Sequence, residues 1–498
     1  MNIRRLYTLL YIIAVTLTVA AQPSAVKKAA KGAVKVTTFK VDGTLLATGY
    51  GAFIDENGTA LTAWTPFIGA SSAVIIDGQG KKYDVDCIYG ASEIYDIARL
   101  KVKKEGKVSI LPMTIEQGQQ VAGADTWLIN YDVKAPIINR IPPARVETFM
   151  NNLPYYVLEQ ETGEINERHT GSPCVNAKGE LMGLITTSNT RTDLYVASAR
   201  YAQTLQPSGL SANDNTLRKT SVRIALPNDY NQAMLAMMIA SQRKDSINYP
   251  ATVENFIAMF PDKEEGYEYK ATMLTEQKDF DGAEKAMQKA IEASTAKDNA
   301  HYYYSRLIYN KEMAMPDTSY NNWSLDKALE EINTAISINS LPLYHILKGN
   351  ILFSQSKYQD AYNEFTEANK TDPRSAEVYY YAYQCLKNMK GERSQMLEML
   401  DSATVLAPKQ LLYLSEKALL LMKMNRASDA ITVAQQVITI APQYAEGHGL
   451  LGLALCMTGN KLTGVAELKR AKALGYQQAD AFLIAYDKED DTTPPKKE

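Results

Sequence analysis

Residues 168–173, Arg168-His169-Thr170-Gly171-Ser172-Pro173, put a hydroxyl side chain into a short loop bounded by glycine and proline. A hydroxyl there can attack a carbonyl if a base takes its proton and a carboxylate holds that base. The chain has four histidines, and His169 is the first of them. It adjoins Thr170, but neighbours on an extended loop point apart, which argues against it as the base. Lys178 or another lysine would serve only with a strongly lowered pKa. The four cysteines, Cys87, Cys174, Cys385 and Cys456, show no metal-ligand spacing, so neither a metal nor a cofactor is expected. They are too few for a disulfide framework in a chain of this length and are expected to be free, buried thiols.

The loop falls within a stretch, from about Val34 to Ala202, of short runs rich in Val, Ile, Thr and Tyr. Val34–Phe39, Gly51–Ile54, Ala73–Ile76, Ile97–Val102, Thr126–Asn130 and Leu181–Thr186 read as strands of an all-β domain. Asp55-Glu56-Asn57-Gly58 and Asn176-Ala177-Lys178-Gly179 read as hairpin turns, because Asn and Gly tolerate positive φ.

Four segments of this half, in order, resemble the bacterial trypsin-like serine proteases. Residues 47–54 look like the opening Gly-x-Gly-Phe strand, with Gly49, Gly51 and Phe53. Residues 58–65 look like the strand and turn that deliver the catalytic histidine. Residues 95–102 look like the segment carrying the catalytic aspartate, and residues 170–184 like the nucleophile loop and the strand after it. The resemblance implies a two-barrel domain and puts Thr65 at the histidine position, Asp96 at the aspartate and Thr170 at the serine. Arg168 stands where the family has a glycine that shapes the oxyanion hole, followed in the same loop by Gly171. Two triad members are thus replaced, which implies a pseudoprotease, with Asp96 bonded to Thr65 or to nearby backbone.

From Pro227 onward the period is helical and repeats at about 34 residues. In Pro342–Ser375, Gly349 lets two helices approach, Leu352 and Tyr358 fill between them, and Ala361, Phe365 and Ala368 line the second helix. This resembles the tetratricopeptide repeats over most of residues 228–478, with about seven helix pairs. The resemblance implies a concave groove that binds a peptide or protein segment. Tyr302-Tyr303-Tyr304 and Tyr379-Tyr380-Tyr381 cannot all face a core, since successive helical residues point about 100° apart. Tyr303 and Tyr380 are therefore candidates for the groove, as is Asn350 on the same kind of face.

These readings divide the chain into a signal peptide (1–21), a β domain (22–205), a linker (206–226), the repeats (227–478) and a capping helix with a polar tail (479–498). The signal is read from Arg4 and Arg5, the apolar run Leu6–Val19 and the small residues Ala20-Ala21. It implies export to a bacterial periplasm, without stable membrane insertion once it is removed. A length of 498 residues suits two or three domains, and a net charge of -3 gives no reason to expect nucleic acid as a partner. The expected function is an exported binding or scaffold protein. The alternatives are a peptidase with a threonine nucleophile, and a β domain that only caps the helical array.

Overall fold

The computed structural model describes residues 22–103, 110–132, 135–148, 153–159, 169–186, 193–243, 248–316, 320–372 and 374–487. The expected signal peptide, Arg168 and most of the polar tail lie outside the described residues. The chain divides into two compact units, Met1–Lys270 and Ala271–Glu498.

The first unit begins with a short helix, Ser24–Ala29, and then six strands. These are β1 (Ala33–Phe39), β2 (Leu45–Phe53), β3 (Thr59–Thr62), β4 (Ser72–Asp77), β5 (Lys82–Ser92) and β6 (Ile97–Val102). They close into a barrel in the order β1-β2-β3-β6-β5-β4. Closure leaves no strand edge unpaired, and alternate residues turn inward. Val34 and Val36 from β1, Phe53 from β2, Ile75 from β4 and Leu100 from β6 fill the barrel, each at most 1% exposed.

Seven more strands follow: β7 (Thr126–Asp132), β8 (Ala135–Arg140), β9 (Arg145–Thr148), β10 (Pro154–Glu159), β11 (Pro173–Asn176), β12 (Leu181–Thr186) and β13 (Asp193–Ser198). Where a second barrel was expected, they form a seven-stranded sheet in the order β8-β7-β11-β12-β13-β10-β9. Leu128, Tyr156, Cys174, Ile185 and Val196 pack together on this sheet. A further cluster joins barrel and sheet: Ala52 and Leu61 from the barrel meet Trp127, Val175, Leu181 and Leu184 from the sheet.

Residues 206–226, read as a linker, are part of this folded unit. Leu217 and Val222 belong to the barrel core. The backbone of Ile88 bonds both Arg223 O and Ala225 N at 2.9 Å, so the returning segment lies alongside β5. Removing those apolar side chains from water outweighs the polar composition around them. Leu226 packs with Ala233, Ala236 and Met237 of helix Tyr230–Arg243 and with Val253 and Phe256 of helix Asn248–Met259. This cluster explains why the opening helix pair belongs with the β domain and the unit boundary falls at Lys270 rather than near residue 227.

Beyond Pro227 the described residues form seven consecutive helix pairs and a terminal helix, Ala479–Tyr486. From Phe280–Ala293 onward each helix packs on the next in sequence, which makes the second unit an α solenoid. In the pair Pro342–Ser354 and Tyr358–Thr371, Gly349 is required: a Cβ there would stand 2.6 Å from Phe365 Cε1. Ser356, Lys390, Asn425 and Gly459 each take positive φ in the turn within a pair, and they recur at intervals of about 34 residues. In three pairs a histidine of the first helix bonds a glutamate of the second, Nδ1 to Oε2 at 2.6 Å: His301 with Glu331, His345 with Glu364 and His448 with Glu467. The terminal helix is less polar than a solvating cap, since Ile484 is 71% exposed. All four cysteines are free and buried.

Candidate functional site

Thr65 opens a 3-10 turn, Thr65–Phe67, at the end of β3, and Pro66 fixes the backbone there. Asp96 closes the turn that leads into β6 and holds a left-handed conformation, φ 46°. Aspartate tolerates that region better than most side chains because its short polar arm bonds locally. Here the bonds run to the Thr65 turn. Trp64 N donates to Asp96 O at 3.3 Å. Thr65 N and Thr65 Oγ1 both donate to Asp96 Oδ1, at 2.7 and 2.8 Å. Trp64 is buried beneath and stacks on Phe67, with ring centroids 6.2 Å apart.

Thr170 comes from the second sheet, just before β11. Its carbonyl accepts a hydrogen bond from Tyr50 N of β2 at 3.1 Å. Gly171 N donates to Ile185 O at 2.7 Å, and Ile185 N donates back to Ser172 O at 3.0 Å. Gly171 has φ +87°, and a Cβ there would lie 2.2 Å from Tyr50 O and 3.1 Å from Ala63 N. Only glycine fits, so the turn that carries Thr170 is locked against β2 and the start of the Thr65 turn. On the same strand, a Cβ at Gly49 would meet Pro66 Cγ at 2.9 Å and Thr170 O at 3.7 Å. The barrel therefore brings all three expected positions around β2, with Thr65 bonded directly to Asp96.

The chemistry of this arrangement is limited by direction. Thr65, expected at the position of a base, donates both its hydroxyl and its backbone N–H to the carboxylate. Its hydroxyl has no useful basicity near neutral pH. Thr65 is exposed, whereas Asp96 and Thr170 are 5% and 8% exposed. Asp96 orients a hydroxyl and a backbone amide, not an imidazole.

Tyr155 of β10 belongs to the same neighbourhood and carries no motif that would have announced it. Its hydroxyl pairs with Thr186 Oγ1 at 2.9 Å, and its ring stacks on Tyr195 with centroids 5.5 Å apart. Burial raises its phenol pKa, and the negative charge of Asp96 adds to that, against the lowering bond to Thr186. Among the described residues no group of three or more His, Cys, Asp or Glu could hold a metal ion.

On the helical side the tyrosine runs split as helical geometry requires. Tyr302 and Tyr304 are buried, and Tyr303 between them is half-buried with Arg306 4.3 Å over its ring. Tyr302 stacks on Tyr344 with centroids 5.0 Å apart. Tyr380 is half-buried, stacks on Tyr413 at 4.7 Å and accepts a hydrogen bond from Gln384. Asn350 is also half-buried. Tyr303, Asn350 and Tyr380 lie on the first helices of three successive pairs, Lys297–Ala314, Pro342–Ser354 and Ala376–Asn388.

No protein-family model matches the chain, and no curated protein matches it. Among solved structures, the chain is similar to the active form of the Rv3671c protease from M. tuberculosis. That similarity has a TM-score of 0.30 and 15% sequence identity, over 37% of this chain and 83% of the protease chain.

Proposed function

We propose that this is an exported protein-binding or scaffold protein, in which a catalytically inactive trypsin-like domain is joined to a tetratricopeptide array that holds a protein partner. The observation that carries the proposal is the donation of both Thr65 protons to Asp96 Oδ1. The carboxylate that would orient a base is committed to a residue that cannot act as one. The repeated positive-φ turns and the Gly349–Phe365 contact support assignment of the helices to tetratricopeptide repeats. Half-buried Tyr303 and Tyr380 offer apolar area and a hydroxyl at low entropic cost, as protein-binding surfaces do. Export rests on the N-terminal sequence pattern.

Two experiments test this. A fluorophosphonate probe should leave the purified protein unlabelled; labelling that disappears in Thr170→Ala would sink the inactive reading and favour a threonine peptidase. Crosslinking in the native envelope, followed by recovery of full-length protein and of each half, should retain the partner with the helical half. Partner recovery by residues 22–205 alone would move the binding function to the β domain.

A further inference from the structure

The outer face of the barrel carries a cavity that the candidate site does not use. On β6, Ala98, Leu100 and Val102 point into the barrel, so Arg99 and Lys101 point out. Thr59 of β3 lies opposite Lys101, and Gly90 of β5 lies opposite Arg99, which places Tyr89 beside the guanidinium. Above them passes the segment that was read as a linker. It is pinned at both ends: a Cβ on Gly90 would stand 3.1 Å from Leu205 Cα, and Ile88 bonds Arg223 and Ala225. Just past each pin the chain covers the space, Gln206 and Pro207 from one side and Leu226, Pro227 and Asn228 from the other, and leaves a cavity of about 360 Å³.

Its chemistry is cationic. Arg99 lies 5.2 Å from the centroid of the Tyr89 ring and reaches Ala202 O with Nη1 at 3.4 Å. Its Nε is buried and has no hydrogen-bond partner among the described residues. Nε is sealed from the cavity, so the rest of the guanidinium fork is what a ligand there would meet. Lys101 lines the same cavity. The one carboxylate there, Asp55, already accepts Thr59 N at 2.9 Å. Two cations thus face one carboxylate across a polar space. Its size is that of a small-molecule site, since such sites run from roughly 300 to 1,000 Å³. The planar fork of an arginine held by an aromatic ring matches the paired oxygens of a carboxylate or phosphate.

We propose that this cavity binds a small molecule through a carboxylate or phosphate group, with Arg99 and Lys101 as its anchors. The site is independent of the Thr65–Asp96–Thr170 cleft, and its test reads binding alone. Titration calorimetry on the full chain would use inorganic phosphate, succinate, and trialanine with a free or an amidated C-terminus. The expected result is saturable binding of at least one oxyanion probe. Arg99→Gln and Lys101→Gln should each weaken it at least tenfold, and Lys82→Gln, an exposed position elsewhere on β5, should leave it unchanged. Asn57→Asp, an exposed turn residue at the cavity mouth, should also weaken it, and this variant keeps the test valid if either cation variant folds poorly. Tighter binding of free-acid trialanine, lost on amidation, would identify a chain terminus as the source; tighter binding of phosphate would identify a phosphorylated molecule. No saturable binding by any probe, or binding by the three site variants equal to wild type, would overturn the proposal.

Discussion

If Asp96 now serves structure rather than catalysis, removing its carboxylate should destabilise the β domain, and by a graded amount. Its Oδ1 accepts two bonds from Thr65, and its backbone takes φ 46°. A hydrogen bond to a charged group contributes about 1.5–3 kcal/mol. Thr65 is exposed, so the lower end of that range applies to each bond. Alanine at position 96 would lose both bonds and would hold a left-handed conformation that costs it roughly 1–2 kcal/mol. Asp96→Ala should therefore destabilise by about 4 kcal/mol. Asparagine keeps an acceptor oxygen and tolerates the left-handed region, so Asp96→Asn should cost about 1–2 kcal/mol. Thr65→Ala removes only the hydroxyl bond and keeps the backbone donor, for a cost of about 1.5 kcal/mol.

Urea unfolding followed by tryptophan fluorescence reads this order, since Trp64 is 1% exposed and adjoins Thr65. Trp127 reports on the same unit, whereas Trp323 lies in the helical unit, so the two transitions need to be fitted separately. The double variant Thr65→Ala/Asp96→Asn should cost less than the two single changes added together, because both disturb one interaction. The reasoning fails if Asp96→Ala unfolds within about 0.5 kcal/mol of wild type, or if Asp96→Asn is as damaging as Asp96→Ala.

Gly171→Ala should be among the most damaging single substitutions in the β domain, costing about 3 kcal/mol or more, because its Cβ would strike Tyr50 O at 2.2 Å and its φ is +87°; soluble yield and the β-domain transition check it. Burial pushes the thiols of Cys87, Cys174 and Cys385 up to about 12, so native protein at pH 8 should resist iodoacetamide, with four alkylated cysteines appearing only after denaturation, as mass spectrometry would show. Burial pushes the Glu331 carboxyl up, but bonds from His301 and Lys327 outweigh it and leave the pKa below 4.5. A lowered carboxyl pKa contributes stability that is present above its unfolded value and lost as pH falls through the folded one. Glu331→Gln should therefore flatten the melting temperature of the helical unit against pH below 4.5, while wild type continues to fall; parallel curves would show that Glu331 is not the linked group.

What could be read from the sequence, and what could not, follows from how local each signal is. Thr65, Asp96 and Thr170 were singled out by the resemblance of four short segments to the trypsin-like proteases, and the barrel and sheet bring these strand-flanking positions around β2. The Thr65–Asp96 bond was expected because a carboxylate with no histidine within reach takes the nearest hydroxyl or backbone donor. Tyr155 was not legible, because it reaches Asp96 through pairing of β10 with β13 across the second sheet, and nothing within β10 records that partner. The linker reading failed for a different reason. Leu217, Val222 and Ile224 are three apolar residues scattered among serines, threonines and asparagines, and average composition hides them although they decide where the segment packs. The helix pairs show the converse case. Lys278, Ser356, Lys390 and Asn425 hold positive φ where glycine would have marked a turn, so the period was visible only through the small and large residues packed between helices. That difference bears on the oxyanion cavity. Its floor, Arg99 and Lys101, is an ordinary outward-facing alternation on one strand, and its roof is a segment whose composition argues against any fixed position. Neither half signals a site alone; the cavity exists because buried Leu217 and Val222, with partly buried Ile224, hold the returning segment against the barrel.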